Sequence, residues 1–226
     1  MAQVSIVVPL HNDEFEGLLF VRSLVEASAH LQGWEVILVD SGSTDGTLSK
    51  MHELVAKNAQ IKMIYYAQDW GVGHAVHEGI FKSEGEKVII LDPKNVFSSK
   101  TIEEIISKLD SVDVVFGKRS EPDFFLGKIF VSIFSFFASS FFGKKSDYFC
   151  STHGFRKEAA RVLFKDMLMR CDLFPLELVY KIQKGGFSSV EVLASGTHGN
   201  INKYSFKEKI KFSWRLFLLW VKLLRA

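Results

Sequence analysis

The sequence predicts an α/β protein with a mostly parallel central sheet. Short apolar runs alternate with segments of helical pattern, and the run at residues 88–91 has no polar alternation, as in strands buried on both faces. Strict alternation of strand and helix makes the strands parallel. Two strands end in aspartates, Asp40 and Asp92. Because ligands bind outside the carboxyl ends of such strands, we expect both side chains at one functional edge.

The predicted elements follow one another regularly. Strands are expected over residues 4–9, 34–40, 61–66, 88–91 and 112–116, with helices between them. Pro9 is expected to end the first strand. Glycine-rich turns at residues 41–47 and 71–75 precede the second and third helices. A helix over 101–109 is predicted to begin with a capping box from Thr101 to Glu104.

Length and composition indicate one large domain, or one domain with an appendage. The chain has 226 residues and is 47% hydrophobic, which is enough for a sizeable core. Its two cysteines, Cys150 and Cys171, give neither a disulfide framework nor metal-ligand spacing, so we expect reduced thiols in a cytosolic setting. The N-terminus has no signal-peptide pattern.

The glycine-rich turns and the two aspartates predict a nucleotide site. Backbone amides at turns and helix starts bind phosphate, and a carboxylate accepts hydrogen bonds from a ribose or base. Gly71-Val72-Gly73 lacks the third glycine of a dinucleotide fingerprint, which argues against a Rossmann dehydrogenase. The alternative for Asp92 is that it merely starts a turn with Pro93.

Several short motifs follow one another along the chain. They are Val7-Val8-Pro9, Val39-Asp40-Ser41-Gly42-Ser43-Thr44-Asp45-Gly46-Thr47, Gly71-Val72-Gly73-His74-Ala75, Leu91-Asp92, Gly117-Lys118-Arg119 and the later segment of residues 147–156. In this order they resemble the motifs of family 2 glycosyltransferases, in particular the dolichyl-phosphate mannose synthase-like branch, whose later motif is an aspartate followed by Ser-Gly-Phe-Arg. The resemblance extends from about residue 4 to residue 203.

The resemblance implies a GT-A fold, a nucleotide-sugar-binding α/β sandwich, over residues 1–203. It also implies transfer of a hexose from a nucleoside diphosphate to a polyprenyl or dolichyl phosphate. Gly71 and Gly73 would let the backbone pass close to the nucleotide, and Asp92 would contact the ribose or diphosphate. The residues expected around the base and ribose are Pro9, His11, Asp13, Asp40, Ser41 and Asp45.

The resemblance also assigns catalytic residues. Arg119 and Arg156 are placed against the acceptor phosphate, because the planar guanidinium pairs bidentately with phosphate oxygens. The alternative for each arginine is a surface ion pair. Asp147 matches the aspartate of the later motif.

The chain departs from the family at Lys94. The family pattern there is Asp-x-Asp, whose second aspartate holds a divalent metal. With Lys94 at that position, the sequence leaves open whether Mg²⁺ or Mn²⁺ is a cofactor, and no metal ligand is assigned. One hypothesis is that the Lys94 ammonium replaces part of the metal's charge and stabilises the leaving diphosphate. A second is that the metal site is lost and the protein binds without turnover. A third is that Lys94 faces solvent.

Two segments predict attachment to a membrane surface. Residues 124–142 are rich in phenylalanine, including Phe134 and Phe137, and the uninterrupted part is shorter than the ~20 residues of a spanning helix. We favour an interfacial helix over a core helix. Residues 204–226 place most basic side chains in one sector of a helix, with Trp214 and Trp220 outside that sector and Arg215 interrupting the apolar run. The alternative for this C-terminal amphipathic helix is packing on the body or in a dimer interface.

These features predict a peripheral glycosyltransferase on the cytoplasmic face of a membrane. Its partners would be a nucleoside-diphosphate sugar, a lipid phosphate acceptor and the membrane surface, with a homo-oligomer or a membrane partner subunit left open. The alternative is a catalytically impaired binding or regulatory subunit. Nucleic-acid binding is disfavoured, because the basic residues cluster in one apolar helix.

Overall fold

The computed structural model describes residues 3–29, 32–93, 98–119, 150, 152–171 and 174–194. Helices and strands alternate along most of this length, as the apolar runs predict. The strands are β1 (Val4–Leu10), β2 (Trp34–Ser41), β3 (Ile61–Tyr66), β4 (Lys87–Ile90), β5 (Val114–Arg119), β6 (His153–Arg156) and β7 (Ser189–Ala194). The helices are α1 (Glu16–Ser28), α2 (Thr47–Lys57), α3 (Val72–Lys82), α4 (Ser99–Lys108), α5 (Lys157–Lys165) and α6 (Phe174–Gly185).

The strands form one sheet in the order β3-β2-β1-β4-β6-β5-β7. β1 pairs in parallel with β2 and with β4, and β5 pairs in parallel with β7. Only β6, among the strands described, runs antiparallel to its neighbours. The carboxyl ends of the other strands therefore meet at one edge, which we call the carboxyl edge. The opposite side is the amino edge.

Both faces of the sheet are covered by helices, so the strands are buried on both sides. All seven residues of β1 are buried. Val7 points to the face covered by α3, α5 and α6, while Ile6 and Val8 point to the face covered by α1, α2 and α4. Two core layers thus alternate along the same strand, which explains the continuous apolar runs. The predicted α/β class with a mostly parallel sheet is confirmed.

Three local details differ from the sequence-based expectations. β1 continues through Pro9 to Leu10 rather than ending at the proline. α4 begins at Ser99, two residues before the predicted capping box. Its cap is Ser98, whose side chain accepts a hydrogen bond from the amide of Thr101, so Thr101 is not the cap. β6 was not predicted, because the segment from His153 to Arg156 lacks an apolar run.

Two predicted helices cannot be compared with the structure. Residues 124–142, with Phe134 and Phe137, lie outside the described residues, and so do Trp214, Arg215 and Trp220 of the C-terminal segment. Within the ranges that are described, no helix is long and apolar enough to cross a membrane.

A buried carboxylate at the amino edge joins the starts of several elements. Glu35, at the start of β2, is 4% exposed. It accepts hydrogen bonds from the Ser5 hydroxyl at 2.5 Å and the Glu84 amide at 2.7 Å, and it pairs with the Lys62 ammonium at 2.8 Å. Burial acts to raise the pKa of Glu35, but the hydrogen bonds from Lys62, Ser5 and Glu84 outweigh it and lower the pKa from its usual value of 4.5.

Glu35 should make stability depend on pH. Because the folded pKa lies below the unfolded value of 4.5, this carboxylate stabilises the fold above that pH, and the contribution is lost as pH falls through the folded pKa. We expect Glu35→Gln to lower the free energy of unfolding at pH 7 by about 1–3 kcal/mol, since a buried charged partner is lost. The variant should also lose less stability than the wild type on acidification, as measured by urea unfolding.

The matched control is Glu53→Gln. Glu53 is 49% exposed and lies 3.8 Å from Lys50, so its loss should change stability by less than about 0.5 kcal/mol. Equal effects of the two substitutions at every pH would contradict the role given to Glu35.

Candidate functional site

The candidate site lies at the carboxyl edge, around the end of β1. Asp40, next to last in β2, is opposite Leu10 of β1. Asp92 follows β4, which pairs with β1 on its other side. The strand order changes direction here, because β2 and β3 extend to one side of β1 and β4 lies on the other. Such a switch point forms a crevice between the loops of neighbouring strands.

The loops that follow β1 and β2 are held together by side-chain hydrogen bonds. The Asn12 amide donates to the Ser43 hydroxyl at 2.9 Å, and the Thr44 amide donates to the Asn12 side chain at 2.8 Å. The Asp13 amide donates to the Thr47 hydroxyl at 2.8 Å. Asn12 adopts a φ of 52°, a left-handed conformation that asparagine tolerates better than most residues. The two loops are therefore joined by hydrogen bonds into one wall of the crevice.

Two of the predicted ligand contacts help to build this wall. Asp13 accepts a hydrogen bond from the His11 amide at 2.9 Å. Asp45 accepts from the hydroxyl and amide of Thr47, at 2.5 and 3.0 Å, and from the Glu14 amide at 3.3 Å. Burial acts to raise the pKa of Asp45, but these hydrogen bonds outweigh it and lower the pKa. Contact of either carboxylate with a base or ribose remains a prediction.

Asp40, His11 and Ser41 lie near one another at the ends of β1 and β2. Asp40 is 2% exposed and accepts hydrogen bonds from the amide and hydroxyl of Ser43. His11 donates from Nδ1 to the carbonyl of Ser41 at 2.7 Å, and the Ser41 hydroxyl donates to Asp69 at 3.2 Å. Pro9 lies opposite Val39 in the same region.

The glycines at the start of α3 leave space for another backbone segment of the same chain. Gly71 has a φ of 85°, and a Cβ there would meet the carbonyl oxygen of Arg170. A Cβ on Gly73 would lie 2.6 Å from the carbonyl oxygen of Met169, while the Gly73 amide donates to the Arg170 carbonyl at 3.0 Å. The close approach expected for a nucleotide is therefore taken, at these two positions, by the loop of residues 166–171, which we call the α5–α6 loop.

Glu177 holds the α5–α6 loop through hydrogen bonds to its backbone amides. This carboxylate, on α6, is fully buried and accepts hydrogen bonds from the amides of Leu168, at 2.9 Å, and Met169, at 2.7 Å. It also pairs with the Lys181 ammonium at 2.9 Å, one turn along the helix. The sequence analysis missed this role. The available signal was a carboxylate inside the apolar run Phe174-Pro175-Leu176-Glu177-Leu178-Val179.

The loop brings Arg170 to the first turn of α3. Its guanidinium lies 3.5 Å from Nδ1 of His74. Burial lowers the pKa of His74; the charges of Arg170 and His77 add to this, and Glu78 opposes it. Next to His74, burial and the Glu78 carboxylate raise the pKa of Tyr66 to about 12. The carboxyl edge thus carries the exposed guanidinium of Arg170 beside the imidazole of His74, whose pKa is lowered.

The structure does not bring Arg156 to this site, which corrects the sequence-based assignment. Because β6 is antiparallel, its last residue Arg156 lies opposite Lys87 at the amino edge. Its guanidinium donates to the carbonyls of Leu109 at 2.8 Å and Asp110 at 2.6 Å. Arg156 therefore joins β6 to the end of α4 and does not face an acceptor at Asp92.

The remaining predicted catalytic residues are placed only in part. Asp92 is partly exposed just beyond β4. Arg119 ends β5 at the carboxyl edge, but its side chain lies outside what the structure describes, as do Lys94 and Asp147. Among the described side chains, no group of three or more histidines, cysteines, aspartates or glutamates could hold a metal ion.

Comparison with known proteins gives a consistent family. Residues 5–170 match the model of Glycosyl transferase family 2. The chain is 25% identical over 217 residues to dolichyl-phosphate beta-glucosyltransferase of Dictyostelium discoideum, covering 86% of this chain and 66% of that protein. It is 29% identical over 161 residues to dodecaprenyl-phosphate galacturonate synthase of Rhizobium johnstonii, covering 68% of this chain and 48% of that one. The chain thus spans about half to two thirds of the length of these relatives.

Solved structures share the fold. Glucosyl-3-phosphoglycerate synthase of Mycobacterium tuberculosis, solved with Mn²⁺, uridine diphosphate and glucosyl-3-phosphoglycerate, matches with a TM-score of 0.65 and 14% identity over 89% of this chain and 74% of that one. The mannosyltransferase PcManGT of Pyrobaculum calidifontis, solved with GDP-mannose and Mn²⁺, matches with a TM-score of 0.58 and 17% identity over 85% and 56%. The predicted GT-A fold is confirmed.

Glu177 should control the order of the α5–α6 loop. We expect Glu177→Gln to weaken the hydrogen bonds to the Leu168 and Met169 amides, since a carboxylate accepts more strongly than an amide oxygen and the Lys181 pair is lost. Amide hydrogen exchange of a peptide covering residues 166–171 should accelerate, and the free energy of unfolding should fall by about 1–3 kcal/mol.

The control is Glu158→Gln, which removes an exposed carboxylate from the first turn of α5. It should leave exchange at Leu168 and Met169 unchanged. Unchanged exchange in Glu177→Gln as well would show that the carboxylate does not hold the loop.

Proposed function

The chain belongs to glycosyl transferase family 2, and on that premise we propose that it transfers a hexose from a nucleoside-diphosphate sugar to a polyprenyl or dolichyl phosphate at a membrane surface. The proposal rests on the positions of Asp40 and Asp92, which flank the end of β1. Both lie within residues 5–170, which match the family model. The relatives' names support a lipid phosphate acceptor, since they are a dolichyl-phosphate glucosyltransferase and a dodecaprenyl-phosphate galacturonate synthase. We further propose a peripheral position on the cytoplasmic face.

The donor nucleotide is proposed to occupy the crevice between the β1 and β2 loops and Asp92. The wall built by Asn12, Ser43 and Thr47 is held by hydrogen bonds within the chain itself. A site that needs little ordering on binding loses less entropy, which favours affinity. Asp92, partly exposed beside this wall, would accept hydrogen bonds from the ribose or contact the diphosphate end.

In the proposed reaction an oxygen of the acceptor phosphate attacks the anomeric carbon of the sugar. The bond from that carbon to the diphosphate breaks, and the nucleoside diphosphate leaves with the electron pair. An ionised phosphate needs no general base, so positioning and neutralisation of the leaving group's charge dominate the barrier. Arg170, whose guanidinium lies beside His74, is a cation that the structure places at this edge.

The residues at the Asp-x-Asp position do not fit a divalent metal as well as the family pattern does. Asp92 retains the first carboxylate, but the second position is Lys94, which cannot ligate a cation while protonated. We propose that the Lys94 ammonium supplies positive charge to the leaving diphosphate. The alternative is that the metal site is lost and the protein binds its ligand without turnover.

Donor binding tests the proposal directly. A panel of nucleotide sugars should raise the midpoint of thermal unfolding for at least one base, because a ligand that binds only the folded state stabilises it. Asp92→Asn should lower the affinity for that ligand about tenfold, because one charge-assisted hydrogen bond is lost. Asp110→Asn, which removes an exposed carboxylate at the amino edge, is the control and should bind normally. Binding of no nucleotide sugar would refute the proposal.

Metal dependence tests whether Lys94 replaces the charge of a metal or marks the loss of the metal site. If its ammonium acts on the diphosphate, transfer to a short polyprenyl phosphate should continue in EDTA. Lys94→Asp should then lose about 10²–10³-fold in rate without metal, the usual effect of removing a charge-stabilising group, and regain rate with Mg²⁺. Wild-type turnover that EDTA abolishes and Mg²⁺ restores would contradict this role. Donor binding without turnover under either condition would favour the non-catalytic subunit.

A further inference from the structure

Exposed apolar side chains of the folded body concentrate at the carboxyl edge. Phe15 caps α1 and is 76% exposed, and Leu19, one turn later on the same helix face, is 63% exposed. Trp70, immediately before the cap of α3, is 50% exposed, and Leu168 of the α5–α6 loop is 51% exposed. We call these four side chains the apolar rim. All four belong to loops or to a first helical turn at the carboxyl edge, the edge that carries Asp40 and Asp92.

The edge strands add to the same distribution. Tyr65 and Leu193 are the next-to-last residues of β3 and β7, so both lie near the carboxyl edge, and they are 59% and 58% exposed. Val162, on α5, is exposed along the side of the body. Among the described residues, only Phe81, at the end of α3, is a large apolar side chain exposed at the amino edge. Scattered exposed apolar residues need no explanation, but a concentration at one edge indicates an interaction surface.

The chain's topology connects this edge to the two segments of membrane-like composition. β5 ends there at Arg119, and β6 begins there at His153, opposite Ile90 of β4. The described ends of the connection that includes the phenylalanine-rich residues 124–142 therefore both lie at the carboxyl edge. β7 also ends there, at Ala194, before the basic and aromatic C-terminal segment.

We propose that the carboxyl edge is the face with which the folded body contacts a lipid membrane surface, and that the apolar rim enters the headgroup region. The inference rests on the proposed function, in which a lipid-linked phosphate must reach the crevice beside Asp92. An acceptor whose phosphate stays at the membrane surface can reach the crevice only if this edge faces the lipid. Aromatic and leucine side chains around a polar opening suit the interface, where the rings sit at headgroup depth.

A pair of substitutions tests the rim against the other edge. The full chain is mixed with vesicles of phosphatidylcholine and phosphatidylglycerol, and the bound fraction is measured by flotation. Phe15→Ser should lower the partition coefficient about tenfold, the effect of withdrawing one large apolar side chain from lipid, and adding Leu19→Ser should lower it further. Phe81→Ser removes the same side chain at the amino edge and should not change it. Equal partition of the Phe15 and Phe81 variants, or no binding by the wild type, would overturn the proposal.

Tryptophan fluorescence gives a second, independent readout. One variant retains only Trp70 and the other retains only Trp34, at the start of β2 on the amino edge, with the remaining tryptophans changed to phenylalanine in both. Vesicles of brominated lipid should quench Trp70 and leave Trp34 unaffected. Quenching of both to the same extent, or of Trp34 alone, would place another face against the lipid and refute the proposal.

These outcomes are distinguishable from a failure of the proposed function. Nucleotide-sugar binding, measured on the same Phe15 and Phe81 variants by thermal shift without vesicles, should equal that of the wild type. A chain that binds vesicles through the rim but binds no nucleotide sugar would refute the proposed function alone. A chain that binds the nucleotide sugar but fails the rim tests would refute the membrane orientation alone.

Discussion

The pairing of β1 with β2 on one side and β4 on the other determines where the chemistry of this protein lies. All seven residues of β1 are buried, and it is hydrogen-bonded in parallel to both neighbours. Parallel pairing brings the ends of β2 and β4 to the same edge, so that Asp40 and Asp92 flank the end of β1. Burial on both faces makes this register costly to change, because a shift by one residue would exchange the two core layers.

The two edges of the sheet serve different purposes. At the amino edge the charged side chains are used inside the protein: Glu35 joins Ser5, Glu84 and Lys62, and Arg156 holds the carbonyls at the end of α4. At the carboxyl edge, hydrogen bonds among the loops build a wall, while Asp92 and Arg170 stay partly accessible. The charged side chains of the amino edge thus connect elements of the fold, whereas the carboxyl edge presents the groups that, by our proposal, contact ligand and lipid.

Most of the fold could be predicted from the sequence, because parallel strands buried on both faces leave continuous apolar runs. The strand over residues 61–66 was predicted with the bounds observed. β6 was missed because its four residues include histidine, glycine and arginine, and its antiparallel direction is a tertiary property. Arg156 was misplaced for the same reason: residue order does not reveal to which edge a short strand carries its last residue.

The candidate site was predictable in its aspartates but not in its supports. Asp40 and Asp92 stand directly after apolar runs, so their edge follows from strand direction alone. The role of Glu177 depends on a loop eight or nine residues away in sequence that folds back over its helix. Gly71 and Gly73 were singled out for the close approach of a nucleotide, whereas the structure shows the backbone of Met169 and Arg170 close to them. Local pattern indicates a need for space but does not identify what fills it.

The central claim is that a nucleoside diphosphate binds at the carboxyl edge beside the end of β1. Backbone amide resonances followed by NMR during titration with uridine and guanosine diphosphates test it most directly. One of the two ligands should shift the amides of Ser43, Gly71 and Asp92 and leave those of Glu35 and Asp110 in place. Shifts confined to Glu35 and Asp110 at the amino edge, or no shifts with either nucleotide, would contradict the account.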